Sequence, residues 1–324
     1  MTAAILLTDR PFGSDDIERE ALARAGLSLL RSPAPDAETL LGLAHDIAGM
    51  LVCYARVEQE LIDAAASGGC RVIARYGIGY DNIDVAAATR ANILVTYVPD
   101  YCIGEVADHA VALLLSIGRG VARAALEVRD GGWTVPGSGV RRLQGRRLAL
   151  IGVGRIGRQV ALRAAAFGIE VIAYDPHVTV WNHAIARASS LEEALSEADF
   201  VSMHAPLTPE THHLIGDEEI DLMAPGAVLV NTSRGGLVDL DAVLRGLDDG
   251  RLGGVGLDVV ETEPLPSDHP LRTHPLAVVT PHMAFYSAEA LAELQRRTVD
   301  SVVDALSGRQ PRNPVNPEVL APSS

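Results

Sequence analysis

The 324-residue sequence contains no lysine: all 27 of its basic residues are arginine. That excludes Schiff-base enzymes, a pyridoxal-phosphate anchor and a P-loop lysine on nucleotide phosphates. Any fixed cationic role must fall to guanidinium, whose planar fork suits carboxylates and phosphates and stays charged at any usable pH. Aromatic residues are also scarce, at 4%, so the interior must be built from close-packed aliphatic and alanine side chains. Basic charge is outweighed, 27 against 42 acidic residues, giving a net charge of -15 and a pI near 5.0. A nucleic acid or an anionic membrane needs a basic field, so neither is expected as a partner. Long apolar runs are missing: a run such as residues 110–115 is far short of the roughly 20 residues that span a bilayer. The N-terminus lacks the basic segment and cleavage site of a signal peptide, so a cytoplasmic location is expected. The three cysteines, Cys53, Cys70 and Cys102, are odd in number and have no metal-ligand spacing. They read as buried reduced thiols, and no metal site is expected.

What is present is a 48% hydrophobic chain long enough for two domains. Apolar runs at 3–7, 48–54, 71–75 and 93–96 alternate with helical patterns at 15–25, 58–66 and 84–91. Strand then helix, repeated, means an α/β protein with a doubly wound parallel sheet. After a long helical stretch at 103–129 a second series begins. Its strands read at 148–152, 170–174, 200–204, 227–231, 254–258 and 277–280, with helices at 156–167 and 191–198. A final helix at 289–306 has no strand after it. The simplest arrangement inserts one domain into another. Residues 99–285 then form a Rossmann domain, and residues 1–98 with 286–324 form a flavodoxin-like domain. A crevice between two such sheets is a place for a ligand.

The segment L-A-L-I-G-V-G-R-I-G at 148–157 carries G-x-G-x-x-G in Gly152, Gly154 and Gly157, directly after a strand and before a helix. Each glycine has a reason. The first permits the tight turn, the second lets a pyrophosphate approach the backbone, and the third lets the helix pack on the strand. The helix start, Arg155 and Ile156, offers N–H groups and a partial positive charge to the phosphates. A strand ending in Asp175 follows. Its carboxylate can accept the ribose hydroxyls and would repel a 2′-phosphate, so NAD, with NADH preferred over NADPH, is the expected cofactor.

Three more stretches place polar groups at C-terminal strand ends, the edge where such sheets bind ligands. V-L-V-N-T-S-R-G-G-L-V at 228–238 places Arg234, G-L-D-V-V-E-T-E-P at 256–264 places Asp258 and Glu263, and T-P-H-M-A-F-Y at 280–286 places His282. With R-Y-G-I-G-Y-D-N-I-D at 75–84 and E-V-A-D-H at 105–109, this series resembles the D-isomer-specific 2-hydroxyacid dehydrogenases over nearly the whole chain. The stretches 282–287, 211–214 and 234–239 most resemble the branch containing the C-terminal-binding protein corepressors.

The resemblance implies a hydride transfer between NAD and a small 2-keto or D-2-hydroxy acid. It implies that Arg234 pairs with the substrate carboxylate, a bidentate task suited to guanidinium. His282 would be the general acid in reduction and the base in oxidation. Glu263, the acid immediately before proline, would hold the other ring nitrogen. Arg75, Gly77 and Ile78 fall where the family's first domain approaches the substrate; Tyr76 and Phe285 would supply apolar wall. His204, Ala205, Pro206 and Thr211 would pass under the adenine and pyrophosphate. Thr232, Ser233, Arg234, Asp258 and His282 would lie at the nicotinamide riboside; for Asp258 a strand-end cap is the other reading. The family pairs as dimers through the nucleotide domain, here through an arm at 103–145 with Trp133 and the loop 135–140.

Two departures stand out. Phe285 replaces the tryptophan frequent in the corepressor branch, which keeps an apolar wall but loses the indole N–H. The segment 176–187, with Trp181 and His183, matches no family pattern and reads as a variable loop. His212 and His213 read as solvated polar residues. A scaffold that senses NAD with little turnover, and a formate or phosphite dehydrogenase, are the alternatives to a 2-keto acid reductase.

Overall fold

The computed structural model describes residues 3–9, 12–135, 140–179, 181 and 185–320; His183 and most of the 135–140 loop lie outside them. The chain divides into two compact units, Met1–Tyr101 with Ser287–Ser324, and Cys102–Tyr286.

The first unit is built on β1 (Ala4–Leu7), α1 (Asp16–Arg24), β2 (Ser28–Arg31), α2 (Ala37–Leu43), β3 (Ile47–Val52), α3 (Gln59–Ser67), β4 (Val72–Arg75), α4 (Val85–Arg90) and β5 (Leu94–Thr96). The last helix of the chain, α11 (Ala288–Leu306), completes it by packing on α1, β3 and β4. The five strands are parallel in the order β2-β1-β3-β4-β5, which is the flavodoxin-like order. β3 reads I-A-G-M-L-V with almost every residue buried, as expected of a strand covered on both faces. Side chains of Asp36, Asp84 and Ser287 cap α2, α4 and α11 at their N-termini, each satisfying an otherwise orphaned N–H. The edge strand β2 is short and only half buried, with polar ends, so its sequence carries no strong strand signal. The unit runs a little beyond Val98 because Val98 donates to the Gly77 carbonyl and Arg297 of α11 binds Asp100.

The second unit begins with α5 (Ile103–Gly118) and α6 (Val121–Arg129). The sequence suggests one helical stretch here; Gly120, at φ 64°, breaks it into two. There follow β6 (Arg147–Ile151), α7 (Arg155–Ala166), β7 (Glu170–Tyr174), β8 (Ala186–Arg187), α8 (Leu191–Leu195), β9 (Phe200–Met203), α9 (Asp217–Leu222), β10 (Ala227–Asn231), α10 (Leu240–Asp248), β11 (Leu252–Leu257) and β12 (Ala277–Val279). The strands are parallel in the order β8-β7-β6-β9-β10-β11-β12. The chain runs outward from β6 through β7 to β8, then restarts at β9 on the other side of β6. Two buried aliphatic clusters cover the sheet's faces, one around Leu229, Val243 and Leu257, the other around α5, Leu150 and Val160. No helix among the described residues is long and apolar enough to cross a membrane.

Candidate active site

The switch in strand order between β6 and β9 is where a doubly wound sheet binds its ligand, and it is where the glycine loop lies. Gly152 turns the chain at φ 98°, and a Cβ there would sit 2.6 Å from the His204 carbonyl carbon. Gly157 lies so close to the Gly152 carbonyl that a Cβ would collide with its oxygen. Gly154, the N-cap of α7, differs: its φ is -69° and a Cβ would meet nothing within 4 Å. Packing therefore demands the first and third glycines, while the second leaves an open face beside Arg155 and Ile156 in the first turn of α7. Asp175 follows β7. Its Oδ2 accepts from the Val153 N–H of the glycine loop at 2.9 Å and its Oδ1 from His177 N–H at 2.9 Å.

At the end of β9, His204 shares a 2.8 Å hydrogen bond between Nε2 and the Ser202 hydroxyl. Burial pushes its pKa down to about 4, so the ring is neutral at physiological pH. Its Nδ1 is buried without a hydrogen-bond partner, and so is Thr232 Oγ1 at the end of the adjacent β10. Buried polar atoms are rarely left unpaired. Two of them at neighbouring strand ends, beside an open glycine face and the Asp175 acceptor, fit the polar groups of a dinucleotide. The loop carrying Ala205 and Pro206 is closed on itself: Thr211 Oγ1 donates to the Pro206 carbonyl at 2.7 Å and accepts from Thr208 N–H at 2.8 Å.

The catalytic candidates sit on loops after β10, β11 and β12. Asn231 is fully buried. Its Nδ2 donates to the Arg234 carbonyl at 2.7 Å, and its Oδ1 accepts from Ser233 N–H at 3.0 Å. Ser233 Oγ donates to the Met203 carbonyl at 2.8 Å, tying this loop to β9. These bonds fix the backbone from which Arg234 projects. His282 lies at φ 50°, a left-handed conformation uncommon outside glycine. Its N–H donates to the Asp258 carbonyl at 2.8 Å, and its Nδ1 is 2.7 Å from Glu263 Oε2. Burial raises the Glu263 pKa, but the His282 hydrogen bond and charge, the Val260 N–H and the Arg234 charge together outweigh it. The carboxyl is therefore held below its ordinary range. The Phe285 ring meets the His282 ring edge-on at 6.4 Å.

Asp258 makes the contacts of a strand-end cap. It is 2% exposed, and its carboxylate accepts from Thr280 Oγ1 at 2.5 Å, Met283 N–H at 2.9 Å and Ala284 N–H at 2.7 Å. It holds the loop that presents His282. His109 joins the same network, with Nε2 3.0 Å from Thr280 Oγ1 and 3.5 Å from Asp258 Oδ1. The motifs that hold His109 and Asn231 gave neither a role: His109 finds its partners more than 140 residues away, while Asn231 binds its own loop from a fully buried position.

In the first unit β4 ends in Arg75, and the loop after it carries Tyr76, Gly77 and Ile78. Gly77 is at φ 138°, and a Cβ there would collide with the Arg75 guanidinium. The missing side chain is what lets Arg75 fold over this loop and donate to the Tyr76 carbonyl. Ile78 is partly exposed. Tyr76 corrects an expectation. It is 1% exposed, with its hydroxyl 2.8 Å from Glu18 Oε1 and its ring edge-on to Phe12. Strand alternation points it into the core of its own unit, so it lines no ligand pocket. The cysteines are free and buried, and burial pushes the Cys53 and Cys70 thiols up to about 12.

Parallel sheet, glycine loop and a histidine–carboxylate pair at strand ends define a nucleotide-dependent oxidoreductase of the doubly wound class. Residues 111–284 match the family described as D-isomer specific 2-hydroxyacid dehydrogenase, NAD binding domain. The chain is 40% identical over 270 residues to a glyoxylate reductase of Korarchaeum cryptofilum, covering 82% of this chain and 81% of that one. It is 39% identical over 290 residues to a D-3-phosphoglycerate dehydrogenase of Mycobacterium bovis, covering 87% of this chain and 53% of that one. The structure of the TT0316 protein from Thermus thermophilus superposes with a TM-score of 0.88 at 38% identity, covering 96% of this chain and 99% of that one. The chain belongs to the D-isomer specific 2-hydroxyacid dehydrogenase family.

Proposed function

We propose that this enzyme reduces a small 2-keto acid to its D-2-hydroxy acid, with NADH preferred over NADPH. The observation that carries the reading is the 2.7 Å His282–Glu263 pair, together with an Arg234 charge that acts on the same Glu263. Bound NADH supplies the hydride. Arg234 binds the substrate carboxylate and polarises the keto oxygen. His282 gives its proton to that oxygen as charge develops there, and takes a proton back in oxidation. Glu263, held ionised, orients the imidazole through Nδ1. Arg75 is the first unit's candidate for the carboxylate, and Phe285 supplies an apolar wall against His282. A glyoxylate reductase among the relatives supports a short keto acid. The Asp175 carboxylate, fixed on the glycine loop, supports NADH through repulsion of a 2′-phosphate.

A homodimer through the second unit is part of this reading. α6 has no buried residue. Val121, Leu126 and Val128 are each at least half exposed, and Trp133 is 87% exposed, an apolar surface suited to a second copy. Gel filtration at micromolar concentration should give a dimer, and a monomer would overturn this part.

The activity is tested with a panel of about a dozen 2-keto acids, including glyoxylate and hydroxypyruvate, followed by NADH oxidation and chiral analysis of the product. Turnover with a D-product is expected. Tight NADH binding with no turnover on any keto acid would point instead to a scaffold of the corepressor kind. A KM for NADPH about tenfold below that for NADH would overturn the cofactor preference.

A further inference from the structure

Away from the catalytic pair, His212, His213 and Glu261 bring their candidate ligand atoms within 4.8 Å of one another. His212 Nε2 is 3.2 Å from Glu261 Oε1, and His213 Nε2 is 3.3 Å from Glu261 Oε2. Successive side chains of an extended chain point to opposite sides. His213 instead adopts φ 50°, which brings its ring beside that of His212, stacked with centroids 4.0 Å apart. Both segments are held from behind. His213 N–H donates to the Gly236 carbonyl at 2.7 Å and Ile215 N–H to the Leu237 carbonyl at 3.1 Å. Val260, next to Glu261, packs so closely on Gly235 that a Cβ there would overlap the Val260 carbonyl.

We propose that His212, His213 and Glu261 form a surface site for a divalent transition-metal ion of the zinc class. A tetrahedral ion with bonds of about 2.0–2.1 Å spaces its ligands about 3.3–3.4 Å apart; each imidazole lies at about that distance from one of the two Glu261 oxygens, and the three ligand atoms, all within 4.8 Å of one another, need only a small side-chain adjustment to close on one ion. Two imidazoles and one carboxylate suit zinc, cobalt or nickel; calcium and magnesium take oxygen ligands. As plain ion pairs between half-exposed groups these contacts add little stability. As ligands they would clamp the segment after the 204–211 loop to the segment that leads into Glu263. The same exposure gives an ion direct access.

The test is titration of the full chain with Co²⁺, read by the visible absorption of tetrahedral cobalt, and with Zn²⁺ by calorimetry. One ion per chain is expected. His212→Ala, His213→Ala and Glu261→Gln should each weaken binding at least about tenfold. His282→Asn, which dismantles the other histidine–carboxylate pair, should leave binding intact. Zinc should raise the Tm of the parent protein but not of the His212→Ala/His213→Ala double variant. The proposal is overturned if the parent binds no stoichiometric ion, if the double variant binds as tightly, or if His282→Asn alone removes binding. Glu261→Gln, which keeps both imidazoles, gives the same reading should the double variant fold poorly.

Discussion

The His282 Nδ1 and Glu263 Oε2 atoms lie 2.7 Å apart, joining the loop after β12 to the loop after β11. Burial raises the Glu263 pKa, yet His282, the Val260 N–H and Arg234 bring it below the ordinary 4.5. The carboxylate therefore stays ionised to lower pH than an ordinary glutamate. A carboxyl depressed in the folded state contributes stability above its unfolded pKa and loses it as pH falls through the folded value. Glu263→Gln should lower kcat for reduction at least about tenfold. Its Tm deficit relative to the parent should shrink as pH drops below 4.5. A deficit that grows on acidification would contradict the assignment. His282→Asn, a residue that tolerates the left-handed φ of 50°, should cut kcat by more than about a hundredfold while NADH binding persists.

Asp258 accepts three hydrogen bonds from the loop at 280–284, so Asp258→Asn must turn an amide N–H toward a donor. The expected cost is about 3 kcal/mol of stability. It should come with a fall in kcat larger than any rise in the KM for NADH. Equal changes in both would mean that the carboxylate touches the cofactor directly.

Gly152 and Gly154 separate packing from ligand approach. Gly152→Ala forces a side chain at φ 98° into the His204 backbone, and should destabilise the fold and abolish NADH binding together. Gly154→Ala meets nothing within 4 Å and should melt near the parent temperature. It should nevertheless lose at least about tenfold in NADH affinity, because its methyl fills the face the pyrophosphate approaches. Fluorescence titration with NADH against Tm distinguishes the two.

The glycine loop and the strand-end positions of Arg234, Glu263 and His282 were legible because each motif is local and its spacing follows one strand and one turn. What escaped was non-local. His109 reaches Asp258 from a helix far away in the sequence, and no periodicity announces such a contact. Tyr76 misled for a related reason. Its neighbours Arg75 and Gly77 shape a loop, but alternation sends Tyr76 inward to Glu18, which Gln295 of α11 also binds. Tyr76→Phe should therefore cost about 1 kcal/mol and leave the KM for the keto acid unchanged. The short edge strands β2 and β8 carry too few apolar residues to be read without their neighbours.

His204 gives the molecule a second pH dependence, at higher pH than that of Glu263. Its ordinary value of 6.5 is pushed down to about 4 by burial. Between those two pH values the unfolded chain binds a proton that the folded protein refuses. Stability must therefore fall as pH drops from 6.5 towards 4, and level off below, with a full amplitude of about 3 kcal/mol. His204→Gln keeps a hydrogen-bonding group for Ser202 but cannot titrate. Urea denaturation of both proteins across this window cancels every other titrating group, Glu263 included, because the difference between the two curves isolates His204. The variant should be the flatter of the two by about 3 kcal/mol. Parallel curves would show that the ring is hydrated and titrates normally. It would then no longer be a dry, neutral group at the end of β9.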